Sequence, residues 1–115
     1  PSFEFIFAPD VLAEVQFSTI VEPVGGLPIV GVIDRLVLSQ ESALIIDFKT
    51  NQEVPSSIDE VPLGILKQMG AYAASMQKVF PKKNIELGII WTHSAELMKI
   101  DVNRAVSSID SIRMT

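Results

Sequence analysis

The stretch IVGVIDRLVLSQESALIIDFK, residues 29–49, decides the fold of this chain. It contains two runs rich in β-branched and apolar residues, 29–38 and 43–48, and such runs are typical of strands. Only a short polar connection separates the two runs, so there is room for a tight turn and nothing longer. The sequence therefore predicts an antiparallel β-hairpin.

Charged residues interrupt both predicted strands. Asp34 and Asp47 each lie in an otherwise apolar run, where a carboxylate is costly unless it is paired or bound to a cation. The spacing between them fits two short strands and a turn, so the two side chains can face each other across the hairpin. Together with a nearby backbone carbonyl they would be hard oxygen ligands, which suit Mg²⁺ or Mn²⁺.

Lys49 follows Asp47 by two residues. Side chains two apart on a strand point to the same face. A lysine beside a metal can orient or deprotonate a water, or stabilise the charge that builds on a phosphate. The alternative is an ordinary salt bridge between Lys49 and Asp47, which taken alone is the commoner arrangement.

The rest of the chain predicts further elements around this hairpin. Partial alternation indicates a strand before it, and apolar residues at three- and four-residue steps indicate a long helix after it. The predicted strands are 11–21, 29–38, 43–48, 85–91 and 97–100, and the predicted helices are 62–80 and 102–112, with Asp101 as N-cap of the second. We expect an α/β (α+β) domain with a central mixed sheet of about five strands and flanking helices.

Composition limits the classes of function. With 115 residues and 48% hydrophobic content the chain supplies one core, so residues 1–115 are predicted to form a single domain. A net charge of −5 argues against a free-standing protein that coats nucleic acid. The absence of cysteine excludes disulfides, thiolate metal sites and cysteine nucleophiles. No apolar run could cross a bilayer, and a cytoplasmic setting is expected.

Three motifs occur in a fixed order: GVIDR at 31–35, IDFKT at 46–50 and QMGAY at 68–72. They resemble the second, third and fourth motifs of the PD-(D/E)xK nucleases, and most of all the RecB-type nuclease domain at the C-terminus of the AddA subunit of bacterial helicase–nucleases. The resemblance covers roughly residues 14–100. It implies a restriction-endonuclease-like core.

The resemblance also implies roles for individual residues. Asp34 and Asp47 would bind the metal, Mg²⁺ or Mn²⁺, with the backbone carbonyl of Phe48 as a further ligand. Lys49 would be the catalytic lysine. The family commonly has tyrosine at the position of Phe48, but a backbone carbonyl survives that exchange.

Three other residues complete the implied site. Gln68 and Tyr72 match a Gln-x-x-x-Tyr motif that supports the site and the DNA backbone in the family. Glu14 resembles an upstream acidic position and is either a second-shell residue or an exposed strand glutamate. The family usually has a histidine or acidic residue on a helix before these strands, and no such helix is visible in the sequence before Glu14.

The resemblance implies a metal-dependent deoxyribonuclease that belongs to an ATP-dependent helicase–nuclease acting in double-strand-break repair and recombination. Its partners would be DNA, helicase domains of the same chain and a second helicase–nuclease subunit, with the present chain as a C-terminal piece that need not be active alone. Two alternatives stay open. One is a stand-alone restriction-type or junction-resolving nuclease, and the other is an inert module that keeps the fold for interaction.

Overall fold

The computed structural model describes residues 11–20 and 28–110, with the side chains of 17–20, 28–30 and 110 left aside. Five strands and two α-helices follow one another along this part of the chain. In order they are β1 (Leu12–Ile20), β2 (Pro28–Leu38), β3 (Ser42–Lys49), α1 (Leu63–Val79), β4 (Asn84–Trp91), β5 (Glu96–Ile100) and α2 (Val102–Asp110). A short 3₁₀ turn, Ile58–Glu60, lies between β3 and α1.

The strands form one sheet in the order β1-β2-β3-β4-β5. The predicted hairpin of β2 and β3 is confirmed, with Leu38 paired to Ala43 beside the turn. Strands β3 and β4 are parallel, and the other neighbours are antiparallel. A parallel pair needs a crossover connection, which α1 supplies. The predicted fold class, a mixed five-stranded sheet with helices, is therefore confirmed.

Both helices pack on the same face of the sheet, because residues of both contribute to one apolar core. The helices approach each other closely at Gly70, where a Cβ atom would overlap the backbone carbonyl of Ala105. The core between helices and sheet includes Ile33, Ile45, Met69, Leu87, Ile89, Trp91 and Ala105. Trp91, the single tryptophan, is fully buried there.

A second, smaller apolar cluster lies on the opposite face of the sheet. It contains Leu44, Ile46 and Ile90, with Phe48 partly buried against them. Alternation along β3 therefore sends even-numbered side chains to this face and odd-numbered side chains toward the helices. Asp47 is odd-numbered, so a carboxylate faces the helices at the end of an apolar strand.

Strands β1 and β2 change the phase of their alternation at the same rung. Ile33 and Leu36 both belong to the core under the helices, although strict alternation would put them on opposite faces. The rung between them is the one where Glu14 lies opposite Asp34, and it is absent from the otherwise regular pairing. Glu14 has φ 52°, a left-handed conformation that costs a side-chain-bearing residue about 1 kcal/mol. The switch lets both halves of β2 bury apolar residues under α1.

The helix ends agree with the sequence signals. α1 begins directly after Pro62 and ends just before Phe80 and Pro81, and a proline cannot continue the helix. Asp101 caps α2, because its Oδ1 accepts the backbone N–H of Arg104 at 3.1 Å. The predicted ends of β1 at residue 21 and of α2 beyond 110 lie outside the described residues. Neither described helix has the length and apolarity needed to span a membrane.

Candidate active site

The two aspartates meet where the β2–β3 hairpin opens. The backbone pairing of these strands ends with Arg35 opposite Ile46. One residue further on each strand come Asp34 and Asp47, which would be the next pair in register. Residues opposite each other in an antiparallel pair share one face, so both carboxylates belong to the side of the sheet that α1 covers. The predicted convergence of the two side chains is thus present in the structure.

A side chain replaces the missing backbone bond at this rung. The backbone N–H of Phe48 donates to Asp34 Oδ2 at 2.9 Å. The next residue, Lys49, accepts the Thr92 N–H with its carbonyl at 2.9 Å and therefore points its backbone toward β4. Backbone groups of successive strand residues point to opposite neighbours, so the Phe48 carbonyl is directed toward β2, on the side where Asp34 lies.

Asp47 is the one charged residue among the described side chains that is buried, at 4% exposure. Burial raises the pKa of its carboxyl from 3.8 to about 6, the neighbouring Lys49 ammonium opposes that rise, and the Asp34 carboxylate adds to it. Its Oδ2 lies 2.8 Å from Lys49 Nζ. That oxygen nevertheless has no hydrogen-bond partner of good geometry among the described residues. We regard the contact as an ion pair that leaves a lone pair of Asp47 unsatisfied.

α1 holds the other side of Lys49. Lys49 Nζ donates to Gln68 Oε1 at 2.7 Å, and Gln68 Nε2 donates to the Tyr72 hydroxyl at 2.8 Å. The Tyr72 hydroxyl in turn donates to the backbone carbonyl of Val32 at 3.2 Å. Gln68 and Tyr72 are four residues apart, so they are neighbours on one helix face. The resulting hydrogen-bond chain ties α1 to both strands of the hairpin.

The polar network of Tyr72 also affects its acidity. Burial raises the pKa of the phenol above its ordinary value, and the negative charges of Asp47 and Asp34 contribute, while the hydrogen bond from Gln68 opposes the rise. The hydroxyl therefore stays protonated across the physiological pH range. A protonated hydroxyl can donate to Val32 while it accepts from Gln68, as the observed geometry requires.

These side chains line an open cavity of about 570 Å³. Its floor is the open end of the hairpin, and one wall is the first half of α1. The lining residues are Gly31, Val32, Asp34, Asp47, Phe48, Lys49, Gln68, Ala71 and Tyr72. A cavity of this size, open to solvent, can admit a phosphate and its neighbouring sugar.

The donor set at this cavity fits a divalent cation with oxygen ligands. Asp34, Asp47 and Phe48 all line the cavity, and one buried oxygen of Asp47 has no hydrogen bond of good geometry among the described residues. Mg²⁺ is held by one or two protein carboxylates and retains several waters. Within the described residues no group of three or more acidic, histidine or cysteine side chains is arranged to hold a metal ion. Asp34, Asp47 and the Phe48 carbonyl could thus hold one such ion.

Glu14 is not brought into this cluster. It lies opposite Asp34 in the β1–β2 register, but its side chain is exposed and does not line the cavity. Its left-handed backbone explains the difference from simple alternation, which would place it on the same face as Asp34. Of the two readings open for Glu14, this position favours the exposed strand glutamate.

The family resemblance implies no role for Arg35, yet the structure places it against the site. Its Nη1 donates to the carbonyl of Asp34 at 2.8 Å, and its guanidinium lies 5.4 Å from the centroid of the Phe48 ring. The available signal was its position directly after Asp34 in the second strand. The Lys49–Gln68 hydrogen bond was likewise not expected, because spacing alone does not show which strand residue a helix side chain meets.

The comparison with protein families agrees with this geometry. Residues 3–108 match the model of the PD-(D/E)XK nuclease superfamily, so the chain belongs to that superfamily. The mixed five-stranded sheet with its helices is consistent with the restriction-endonuclease-like fold. The chain is accordingly assigned to a family of nucleases.

Solved structures support the fold. One that is similar is described as the crystal structure of SSO0001, with a TM-score of 0.51 and 17% sequence identity; the match covers 91% of this chain and 50% of that one. The chain thus spans about half the length of that structure. No curated protein matches the chain.

Proposed function

We propose that this domain is a metal-dependent deoxyribonuclease that hydrolyses phosphodiester bonds in DNA with Mg²⁺ or Mn²⁺. The observation that carries the proposal is the convergence of Asp34, Asp47 and Lys49 at the open end of the hairpin, in a chain of the nuclease superfamily. Two carboxylates and an ammonium around one cavity provide a place for a cation and a place for a phosphate.

The chain's own residues prepare the site for this reaction. Asp34 and Asp47, with the Phe48 carbonyl, would hold the metal, which when bound polarises the phosphate and acidifies a water. The buried position of Asp47 keeps the ligand in a region of low dielectric, where its attraction to a cation is strong. The Asp34 carboxylate accepts the Phe48 N–H. This bond orients Phe48, whose carbonyl would be a further metal ligand.

Lys49 is proposed to stabilise the negative charge that develops on the phosphate and to orient the attacking water. Its ammonium is held between Asp47 Oδ2 at 2.8 Å and Gln68 Oε1 at 2.7 Å. An ammonium carries three donors, and among the described residues it makes one hydrogen bond, to Gln68, besides the ion pair with Asp47; we propose that its remaining donor capacity serves the substrate. Gln68 and Tyr72 then act by holding Lys49 in place, through the anchor on Val32.

We further propose that the domain works within an ATP-dependent helicase–nuclease in double-strand-break repair and recombination. The support is the likeness of its three motifs to the RecB-type domains of such enzymes. The net charge of −5 is in keeping with a domain that receives DNA from neighbouring, more basic parts of an assembly. The proposed partners are DNA, helicase domains of the same chain and a second subunit.

The proposal is tested on the intact protein. Single- and double-stranded DNA are incubated with Mg²⁺ and with wild type, Asp47→Ala or Lys49→Ala. We expect degradation by wild type and a loss of at least a hundredfold in both variants. Lys99→Ala, which removes a lysine from an exposed ion pair with Glu86, is the matched control and should retain the wild-type rate. Equal degradation by all four proteins would overturn the assignment.

A further inference from the structure

Arg35 reaches Phe48 from the face of the sheet opposite the proposed metal site. Its guanidinium lies 5.4 Å from the ring centroid and also donates to the Asp34 carbonyl at 2.8 Å. The arginine is half-buried, and the ring packs in the small cluster with Leu44 and Ile46. A cation over an aromatic face is attracted to the ring, and the attraction grows as the site loses water.

Two consecutive residues of β2, Asp34 and Arg35, therefore hold both the backbone and the side chain of Phe48. The carboxylate of Asp34 binds its backbone N–H at 2.9 Å, and the guanidinium of Arg35 lies over its ring. These contacts lie at the end of the backbone pairing between β2 and β3, next to Arg35 and Ile46. Side-chain contacts of Asp34 and Arg35 thus continue the connection between the strands where the backbone pairing stops.

We propose that Arg35 is a positioning residue for the metal site and sets the distance between the Asp34 carboxylate and the Phe48 carbonyl. The inference rests on the proposed metal-dependent function. The physical basis is that the Arg35 guanidinium contacts both residues that would provide these ligands. It donates to the backbone carbonyl of Asp34 and lies over the ring of Phe48. Octahedral Mg²⁺ and similar ions tolerate little error in ligand spacing.

Contacts behind metal ligands typically change metal affinity by 10–100-fold when they are removed. Arg35→Met retains much of the aliphatic stem and removes the guanidinium, so it breaks both contacts. Phe48→Leu keeps the backbone carbonyl and an apolar side chain but removes the ring. If Arg35 acts through Phe48, both substitutions weaken metal binding, and the double variant is no worse than the more affected single variant because they remove the same contact.

The chain offers a matched control. Lys83 lies 5.9 Å from the ring centroid of Phe80 and donates to the backbone carbonyls of Ser39 and Gln40, the latter at 3.2 Å. It has the same two kinds of contact as Arg35, at the opposite end of the β2–β3 hairpin. Lys83→Met therefore measures the effect of losing such a cation without touching the site.

The experiment is calorimetric titration of the intact protein with Mn²⁺, in parallel with thermal unfolding of the metal-free protein. We expect the Kd for Mn²⁺ to rise about tenfold in Arg35→Met and Phe48→Leu and to stay within twofold of wild type in Lys83→Met. The rise in Kd should be larger than a general loss of stability could cause. The change in Tm of Lys83→Met shows how much stability such a contact provides. Should Arg35→Met fail to fold, Phe48→Leu decides alone.

A Kd for Arg35→Met and Phe48→Leu equal to that of Lys83→Met would overturn the inference and leave the proposed nuclease function standing. A double variant that weakens binding by the product of the single effects would also overturn it, because the two residues would then act separately. If wild type itself binds no Mn²⁺, the metal-dependent function fails, and the role of Arg35 fails with it.

Discussion

The side-chain oxygen of Gln68 lies 2.7 Å from the ammonium nitrogen of Lys49. Lys49 is at the end of a strand and Gln68 is in the second turn of the helix that follows, so this bond fixes the helix against the strand that it crosses. Because the same ammonium lies 2.8 Å from Asp47, it is held by groups from two different elements. The orientation of the lysine therefore depends on how α1 packs.

The first prediction concerns this bond. Gln68→Leu removes the acceptor and leaves Lys49 held by Asp47 alone, so the rate of DNA cleavage should fall about tenfold, as is usual for partners of site residues. The rate is measured with saturating Mg²⁺. Gln77→Leu, on an exposed position of the same helix, should cleave like wild type. A Gln68→Leu enzyme with undiminished activity would show that the helix does not orient the lysine.

The second prediction concerns the anchor of the hydrogen-bond chain. Tyr72→Phe keeps the buried ring and removes the hydroxyl that contacts Gln68 and the Val32 carbonyl. The loss of these bonds should lower the free energy of unfolding by about 1–2 kcal/mol and should also reduce the cleavage rate. Urea unfolding measures the first effect. If Tyr72→Phe unfolds at the wild-type urea midpoint and cleaves DNA at the wild-type rate, the Tyr72 hydroxyl contributes neither to stability nor to activity.

The third prediction follows from the raised pKa of Asp47, 3.8 to about 6. A folded-state pKa above the unfolded one means that the protonated carboxyl stabilises the fold at low pH, and this contribution is lost as pH rises through about 6. Asp47→Asn is neutral at every pH. In the absence of metal it should therefore gain stability relative to wild type between pH 4 and 7, on the order of 2 kcal/mol after allowance for water in the cavity.

Denaturant unfolding of both proteins at a series of pH values measures this difference. Comparing the two proteins at each pH cancels the titration of the carboxylates that do not interact with Asp47. A difference in stability that is constant from pH 4 to pH 7 would mean that Asp47 ionises in the folded protein at its ordinary pKa.

The fourth prediction separates metal binding from folding at Asp34. Asp34→Asn keeps a side-chain oxygen that can accept the Phe48 N–H, which the native Oδ2 accepts at 2.9 Å, but it removes the negative charge. The Tm should change little, whereas calorimetric Mn²⁺ binding should weaken at least tenfold. Asp34→Ala removes both functions and should lower Tm as well, because it removes the acceptor of the Phe48 N–H. Full Mn²⁺ affinity in Asp34→Asn would exclude Asp34 as a ligand.

The fifth prediction compares two glycines of α1. Gly70→Ala would push a Cβ into the backbone of Ala105, whereas a Cβ at Gly64 would meet nothing within 4 Å. Gly70→Ala should therefore destabilise the fold by about 1–3 kcal/mol through overpacking. Gly64→Ala should be neutral or stabilising by up to about 1 kcal/mol, since alanine favours the helix. Thermal unfolding decides, and equal Tm values would show that the two helices can move apart at low cost.

The sequence alone predicts the hairpin, the long helix and the meeting of Asp34 with Asp47, because each follows from local signals. Apolar runs around a short polar connection define the hairpin, and the register of a short hairpin places the two aspartates on one rung. Pro81 and Asp101 mark helix ends in ways that hold regardless of the tertiary structure.

Other features depend on tertiary packing and cannot be predicted from the sequence alone. The change of phase at Glu14 exists because both halves of β2 bury apolar residues under α1, and a left-handed glutamate has no sequence signature. The role of Gln68 depends on the distance of α1 from β3, and the position of Arg35 depends on the face that Phe48 occupies. Such relationships appear only when elements far apart in sequence are placed together.

β3 is the third of five strands and carries both Asp47 and Lys49. An inner strand opens less readily than edge strands and loops, and at Asp47 and Lys49 it is held by its pairing with Ile89 and Trp91 of β4. Fluctuations at the rim of the sheet can therefore come and go without dispersing these two charges. The two charged side chains stay together as long as the chain is folded. Substitutions in distant packing should therefore shorten the lifetime of the folded state before they alter the chemistry of the site.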